Sequence, residues 1–249
     1  MPKVTVILTH HLDSVRPYLD LAIQGLVNQE FKDFNVLLVS DAESKPRDAL
    51  PPSWRSHWDG SLDTSAKKVK WALQNSDSEF VVQHSDDVIM SWAALGELAA
   101  ACEALPSIMN PFSNSDCRSL YYSNIFATRK DESKHLIHDM SIEDVKGWES
   151  EILNFPLGRR VLFPVQTLSF FCTIMPRHVW NRVGDLDPEL EYRHNDQDFC
   201  LRAAQIGIPS AVNLAPFVFH FGSKTLNECA PEDIRAKASH HFRAKWGIQ

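Results

Sequence analysis

The first third of the chain alternates solid apolar runs with segments whose apolar residues recur every three or four positions. KVTVILT (3–9) and FNVLLVSD (34–41) are continuous runs of strand length, rich in β-branched residues. Strands covered on both faces read this way. EFVVQHSDD (79–87) is a third run, and it ends in two adjacent acids. Between the runs, VRPYLDLAIQGLVNQ sets Leu19, Ala22, Ile23, Leu26 and Val27 at helical spacing, and SAKKVKWALQNS does the same with Val69, Ala72 and Leu73. Strand, helix, strand, helix, strand predicts a parallel sheet with covering helices. SWAALGELAAACEAL (91–105) adds a further helix.

The pattern loosens from Pro106 to about Pro164, where a short strand-like stretch (SLYYSNIFAT) meets polar ones (TRKDESKH). This part reads as antiparallel or loop-rich. QTLSFFCTIMP then predicts a strand, and RHVWNRVGDLD a helix ending near Gly184. NDQDFCLRAAQIG predicts a helix with Asn195 as N-cap and Gly207 as its stop. AVNLAPFVFHFGS supplies one or two strands around Pro216, and PEDIRAKASHHFRAKWG a closing helix with Pro231 near its first turn. No repeat, low-complexity segment or linker divides the 249 residues, so one α/β domain over 1–249 is expected.

Composition narrows the class. An apolar fraction of 44% and a charged fraction of 23% are those of a globular domain. A net charge of −7 argues against general affinity for nucleic acid or anionic membranes. Arg235, Lys237, His240, His241, Arg243 and Lys245 form a basic face on the closing helix, whose ordinary meaning is solvation, though it leaves nucleic acid open. The five cysteines are odd in number and show no C-x-x-C spacing, which speaks against a disulfide framework or a cysteine-rich zinc site. A reducing compartment, the cytoplasm, is the expected location. MPKVTVILTHH reads as a first strand rather than a signal peptide. No apolar run approaches the ~20 residues of a membrane helix.

Open parallel sheets bind ligands at the carboxyl ends of their strands. Here those ends carry Thr9, His10 and His11, then Ser40 and Asp41, then Ser85, Asp86 and Asp87. Acids at strand ends can simply face water. Burying them costs several kcal/mol unless they are paired or hold a metal. Asp196 and Asp198 open a predicted helix, where an acid gains ~0.3–1 kcal/mol from the macrodipole without any catalytic role. His220, in FVFHFGS, is either a core histidine or a ligand.

Taken in order, these segments resemble the family 2 glycosyltransferases, inverting sugar-nucleotide enzymes of the GT-A fold. VTVILTHHLDSVRPYLDLAIQGLVNQEFKDFNVLLVSDAES is similar to the family's opening, with its NQ turn and a second strand ending in a DDGS-like motif. SEFVVQHSDDV resembles the strand carrying the D-x-D metal motif. CTIMPRHVWNRVGDLDPEL followed by HNDQDFCLRAAQIG resembles the segment holding VGGFDE and GEDVDLCLRARKAG. FVFHFGS resembles VYHHGS, and FRAKWG a common family ending. The stretch from about Pro106 to Pro164 is not covered by the resemblance.

The resemblance implies a GT-A fold with a mostly parallel sheet between helices. Residues 1–105 would form the nucleotide-binding half and 106–249 the acceptor half. It implies a nucleoside diphosphate sugar as donor and Mn²⁺ or Mg²⁺ as cofactor. Asp87 falls on the metal-holding acid of D-x-D, Asp86 on its middle position, and Ser85 on its first acid. Thr9 and His10 fall at the start of the nucleotide site, and Asp41 at the base-reading position. Lys67 or Lys70 stands near the position of a basic group that faces the phosphates. Asp196 falls on the general base, with Asn195 replacing the usual Glu, and His220 on a histidine that completes the metal site. As a residue heading a helix, Asp196 is expected to need no raised pKa.

The acceptor is open: a glycan, a lipid-linked sugar, a protein side chain or a modified nucleobase. Ser85 and Asn195, each replacing an acid, support an alternative in which the chain is a catalytically idle sugar-nucleotide or glycan-binding module. A nucleotidyltransferase ranks lower, because THHLDSVRP lacks the Gly-rich loop expected after the first strand.

Overall fold

The computed structural model describes residues 1–11, 16–41, 50–113, 162–222 and 231–248. The strand-like stretch SLYYSNIFAT and most of the expected loop-rich part lie outside the described residues. The strands are β1 (Val4–His10), β2 (Phe34–Ser40), β3 (Arg55–Trp58), β4 (Phe80–Ser85), β5 (Val88–Met90), β6 (Ile108–Ser113), β7 (Leu162–Val165), β8 (Cys172–Pro176) and β9 (Ser210–His220). The helices are α1 (Arg16–Val27), α2 (Ser65–Gln74), α3 (Ala94–Ala104), α4 (Arg177–Val183), α5 (Asn195–Gln205) and α6 (Glu232–Trp246), with a short 3-10 turn at Pro188–Leu190.

One sheet takes all nine described strands in the order β3-β2-β1-β4-β8-β6-β9-β5, with β7 also paired to β9. β3, β2, β1 and β4 are mutually parallel, and β8 reverses direction against β4. The α/β architecture read from the sequence is thus what forms, a largely parallel sheet with helices on both faces. β1 shows why. Val4, Val6 and Leu8 point to a core shared with α1 and α3, while Ile7 points to a second core shared with α2, α4 and α5. Alternate side chains leave a strand on opposite sides, so a strand buried on both must be apolar throughout.

Local contacts fix the layers. Gln29, fully buried, donates from Nε2 to the carbonyls of Gly25 (2.9 Å) and Ser91 (2.7 Å), and its Oε1 accepts the Leu95 amide (2.9 Å). The NQ turn therefore clamps the end of α1 to the start of α3, which has no side-chain cap of its own. Gln29→Ala would remove three hydrogen bonds to buried backbone groups, at about 1–3 kcal/mol for each group left unpaired, while the Ser91 carbonyl keeps the Ala94 amide. At Gly25 a Cβ would stand 3.1 Å from both the amide nitrogen and the carbonyl oxygen of Met90, so α1 lies against β5 as only glycine allows.

The structure differs from the expectation at several elements. β3 is a polar edge strand, and its lack of apolar alternation hid it. β5 is a separate three-residue strand, antiparallel to β9. β8 begins only at Cys172, because a turn at Ser169–Phe171 ends the preceding segment. Pro216 does not split β9. The register against β6 jumps from Pro111↔Asn213 to Phe112↔Phe217, so the proline falls in a bulge where no ladder bond is asked of it. α5 starts at Asn195 rather than being capped by it. No helix among the described residues is long and apolar enough to cross a membrane.

Candidate active site

β1, β2 and β4 end level with one another: Thr9 is opposite both Val39 and Ser85, and His10 is opposite Ser40. Their carboxyl ends form one wall of a cavity of about 590 Å³, and the loop before α5 with its first turn forms the facing wall. Thr9, Ser85, Asp86, Asp87, Asp196 and His220 all line it. Six of the nine site residues read from the sequence are therefore brought to one cavity. The other three are not at its surface.

His10 is one of these three. It is fully buried, and its Nδ1 lies 2.7 Å from Asp86 Oδ2, with the ring edge-on to Trp58. Asp86 is thus backed by an imidazole. Asp41 is a second: its Oδ1 lies 3.0 Å from Lys68 Nζ and its Oδ2 3.4 Å from His11 Nδ1. Burial pushes the Asp41 carboxyl up, but hydrogen bonds and charge from His11 and Lys68 outweigh this and leave it below the ordinary carboxylate value. Lys67 is the third. It is exposed on α2 and paired with Asp63, as Lys70 is with Asp185.

The inward lysine is Lys68, which sequence reasoning missed. It is fully buried, with Nζ 2.8 Å from His11 Nδ1. The signal was present. Thr64 caps α2 by accepting from the Lys67 amide, and the buried stripe of that helix is Lys68, Val69 and Ala72. Counting from the cap puts 68, not 67 or 70, on that stripe. His11 was also missed as a contact residue, although it lines the cavity in front of Asp41, with Nε2 3.3 Å from Ser65 Oγ.

Asp87 and His220 come from sequence positions far apart and meet through the β5–β9 pairing, where Val88 is opposite His220. His220 Nε2 lies 3.4 Å from Asp87 Oδ1, and the imidazole stacks on Phe171. Both are largely buried yet reach the cavity. One carboxylate oxygen and one imidazole nitrogen suit Mn²⁺, and two neighbouring ligands on one octahedral ion stand about 3 Å apart given bonds of about 2.1 Å. The described residues contain no group of three His, Cys, Asp or Glu able to hold a metal. The pair therefore fits a divalent ion only if further oxygens come from elsewhere.

Asp196 and Asp198 separate cleanly. Asp198 is fully buried and accepts from Arg202 Nε (2.8 Å) and Trp246 Nε1 (3.0 Å), with Lys245 Nζ at 2.8 Å. Its role is to hold α6 against α5. Asp196, two residues away and so on another side of the helix, faces the cavity. Burial raises its carboxyl above the ordinary value. Hydrogen bonds from the backbone amides of Gln197 and Phe170 pull the other way, as does the charge of His194. The expectation from the helix start, that no raised pKa is needed, left out the burial of the carboxyl, which outweighs the amides and the charge that lower it. The facing wall also includes Glu191, Tyr192 and His194, which carried no signal in the sequence.

The three described cysteines, Cys102, Cys172 and Cys200, are free and buried, and burial pushes the Cys200 thiol up to about 11. They take no part in the cavity.

No family model and no curated protein matches the sequence. Among solved structures, the chain is similar to two crystal structures of TarS from S. aureus. One matches with a TM-score of 0.54 and 17% identity over 91% of this chain and 38% of that one. The other, TarS 1–349, matches with a TM-score of 0.58 and 15% identity over 97% of this chain and 72% of that one. The chain thus spans well under half of the longer TarS chain. At this identity the likeness establishes the fold alone: the chain has a GT-A-like α/β fold, that of the TarS structures.

Proposed function

We propose that the chain is a metal-dependent inverting glycosyltransferase, moving a sugar from a nucleoside diphosphate sugar to an acceptor hydroxyl. The observation that carries this reading is the division of the cavity. Strand-end acids with basic partners line one wall, and a carboxylate with a raised pKa stands on the other. The nucleotide would lie across the ends of β1, β2 and β4, beside Thr9 and His11, with Asp41 toward the base. Asp87 and His220 would hold Mn²⁺ or Mg²⁺ together with oxygens of the donor diphosphate. When bound, the ion would supply positive charge against the charge developing on the leaving diphosphate.

The chain's own residues do the rest. Asp196 takes the proton of the acceptor hydroxyl as its oxygen bonds to the anomeric carbon. The bond from that carbon to the diphosphate breaks, and the nucleoside diphosphate leaves with its electrons. Attack from the side opposite the leaving group inverts the centre. A carboxyl raised by burial is a better base for this than one at its ordinary value. Ser85 adds a hydroxyl on the cavity wall where the resemblance implies an acid.

A second reading, a donor-binding module without turnover, has one observation in its favour: the described residues offer two metal ligands rather than three. A thermal-shift panel of nucleoside diphosphate sugars, with and without Mn²⁺, tests binding. A donor at ~100 times its Kd should stabilise by ~2.7 kcal/mol. Release of nucleoside diphosphate from the stabilising donor then separates the two readings, and no stabilisation by any donor contradicts both.

A further inference from the structure

The turn that carries Asp196 is held by a helix that does not line the cavity. His194, the residue before α5, has φ 68° and ψ 0°, and its side chain caps no backbone amide. A non-glycine residue keeps this left-handed backbone only where its surroundings hold it there. Those surroundings are α6. The His194 ring lies parallel to that of Phe242, with centroids 4.6 Å apart and planes at 14°. Its Nε2 stands 3.2 Å from Ser239 Oγ, and its Nδ1 donates to Gln197 Oε1. The backbone amide of Gln197 donates to Asp196 Oδ1 at 2.7 Å. Tyr192, two residues earlier, is also left-handed (φ 65°), and its hydroxyl donates to the Asp63 carbonyl ahead of α2 at 3.4 Å. The segment is bent at two non-glycine positions and tied down on both sides.

We propose that His194 is a positioning residue through which α6 sets where the Asp196 carboxylate stands in the cavity. The inference rests on the reading of Asp196 as the base. It is distinct from the role of Asp198, whose bonds to Lys245 and Trp246 hold the far end of α6 and do not reach the cavity. A displaced base loses alignment with the incoming hydroxyl, and a displacement of about 1 Å can cost 10²-fold in rate. The charge of His194 also favours the Asp196 carboxylate. Its loss therefore leaves the base misplaced and titrating higher.

The test compares His194→Asn, Ser239→Ala and Phe242→Leu with wild type and with Asp196→Asn. Asparagine tolerates the left-handed backbone, so the first variant removes the ring contacts rather than the turn. Turnover is read as release of nucleoside diphosphate from UDP-glucose, UDP-N-acetylglucosamine and GDP-mannose with Mn²⁺, water serving as acceptor. Affinity for UDP and GDP is read by calorimetry. His194→Asn should lower kcat by ~10–100-fold, leave nucleotide affinity unchanged, and move the acidic limb of the kcat–pH profile to higher pH. Ser239→Ala and Phe242→Leu should move it the same way by less, and they carry the measurement if His194→Asn does not fold. Lys237→Ala, on the exposed face of α6, should change nothing. If Asp196→Asn abolishes turnover while all three variants keep the wild-type kcat and acidic limb, the positioning role is overturned and the base survives. If Asp196→Asn turns over at the wild-type rate, the base is overturned and the inference falls with it.

Discussion

Asp86 and Asp196 face the same cavity from opposite walls, and the chain treats them differently. Asp86 is backed by His10, as Asp87 is by His220 and Asp41 by Lys68 and His11. Each strand-end acid stands beside a nitrogen base. Asp196 instead takes chiefly backbone amides, which supply partial charge, with the charge of His194 a smaller influence, and burial leaves its proton affinity raised. Asp41, held below the ordinary carboxylate value by His11 and Lys68, keeps its charge, and Asp87 with His220 offers an oxygen and a nitrogen to one ion. A buried carboxylate held by amide dipoles can change its charge during a reaction. The two walls are built for holding and for proton transfer.

The largest effect should come from the proton-transfer wall. Asp196→Asn keeps the shape and still accepts from the Gln197 amide, but takes no proton. Donor turnover should fall by ~10²–10⁴-fold, while calorimetry shows nucleoside diphosphate bound as tightly as by wild type. Weaker nucleotide binding in this variant would erase the distinction between the walls. On the holding wall the order reverses: Asp41→Ala should weaken nucleoside diphosphate binding by ~10–100-fold, because His11 on the cavity wall and the buried Lys68 lose the carboxylate that holds them. Unchanged affinity would remove Asp41 from the site.

Asp198→Ala sharpens the comparison by removing an acid of α5 that faces neither wall. Arg202 and Lys245 lose their buried partner. Both are partly exposed, so the expected cost is about 2–3 kcal/mol, below the ~3–5 kcal/mol of a fully buried pair. That lowers Tm by several degrees at about 2–4 °C per kcal/mol, with nucleotide affinity retained in the folded protein.

The smallest effect is one of pH. Because the folded Asp196 carboxyl titrates above its unfolded value of 3.8, ionising it costs stability. Its contribution is fully present below that value and is lost as pH rises through the folded pKa. Asp196→Asn should therefore melt higher than wild type near neutral pH, and the gain should vanish as pH falls below 3.8. A gain that does not depend on pH would mean that burial does not raise this carboxyl.

What could be read from the sequence followed from period and position. β1 and β2 are apolar on both faces and could be nothing but central strands, and the ends of β1 and β4 bring Thr9 and Ser85 to one edge. The pairing of Asp87 with His220 was anticipated only through the resemblance, since it depends on β5 meeting β9. Three features stayed hidden. β3 is a polar edge strand without alternation. Lys68 lies one residue from the exposed Lys67, and a shift of one on a helix turns a side chain by about 100°. The left-handed backbone at Tyr192 and His194 carries no glycine to mark it, because its cause is α6, some forty residues further on.

The central claim is that the holding wall completes its metal site with the donor's own diphosphate. The direct measurement is calorimetric titration of Mn²⁺ into the protein, alone and with UDP or GDP present, for wild type, Asp87→Ala and His220→Ala. Wild type should bind Mn²⁺ weakly alone and at least ~10-fold more tightly with nucleotide, with the coupling reduced in His220→Ala and absent in Asp87→Ala. Mn²⁺ affinity that is indifferent to nucleotide, or sugar transfer at full rate in excess chelator, would contradict it.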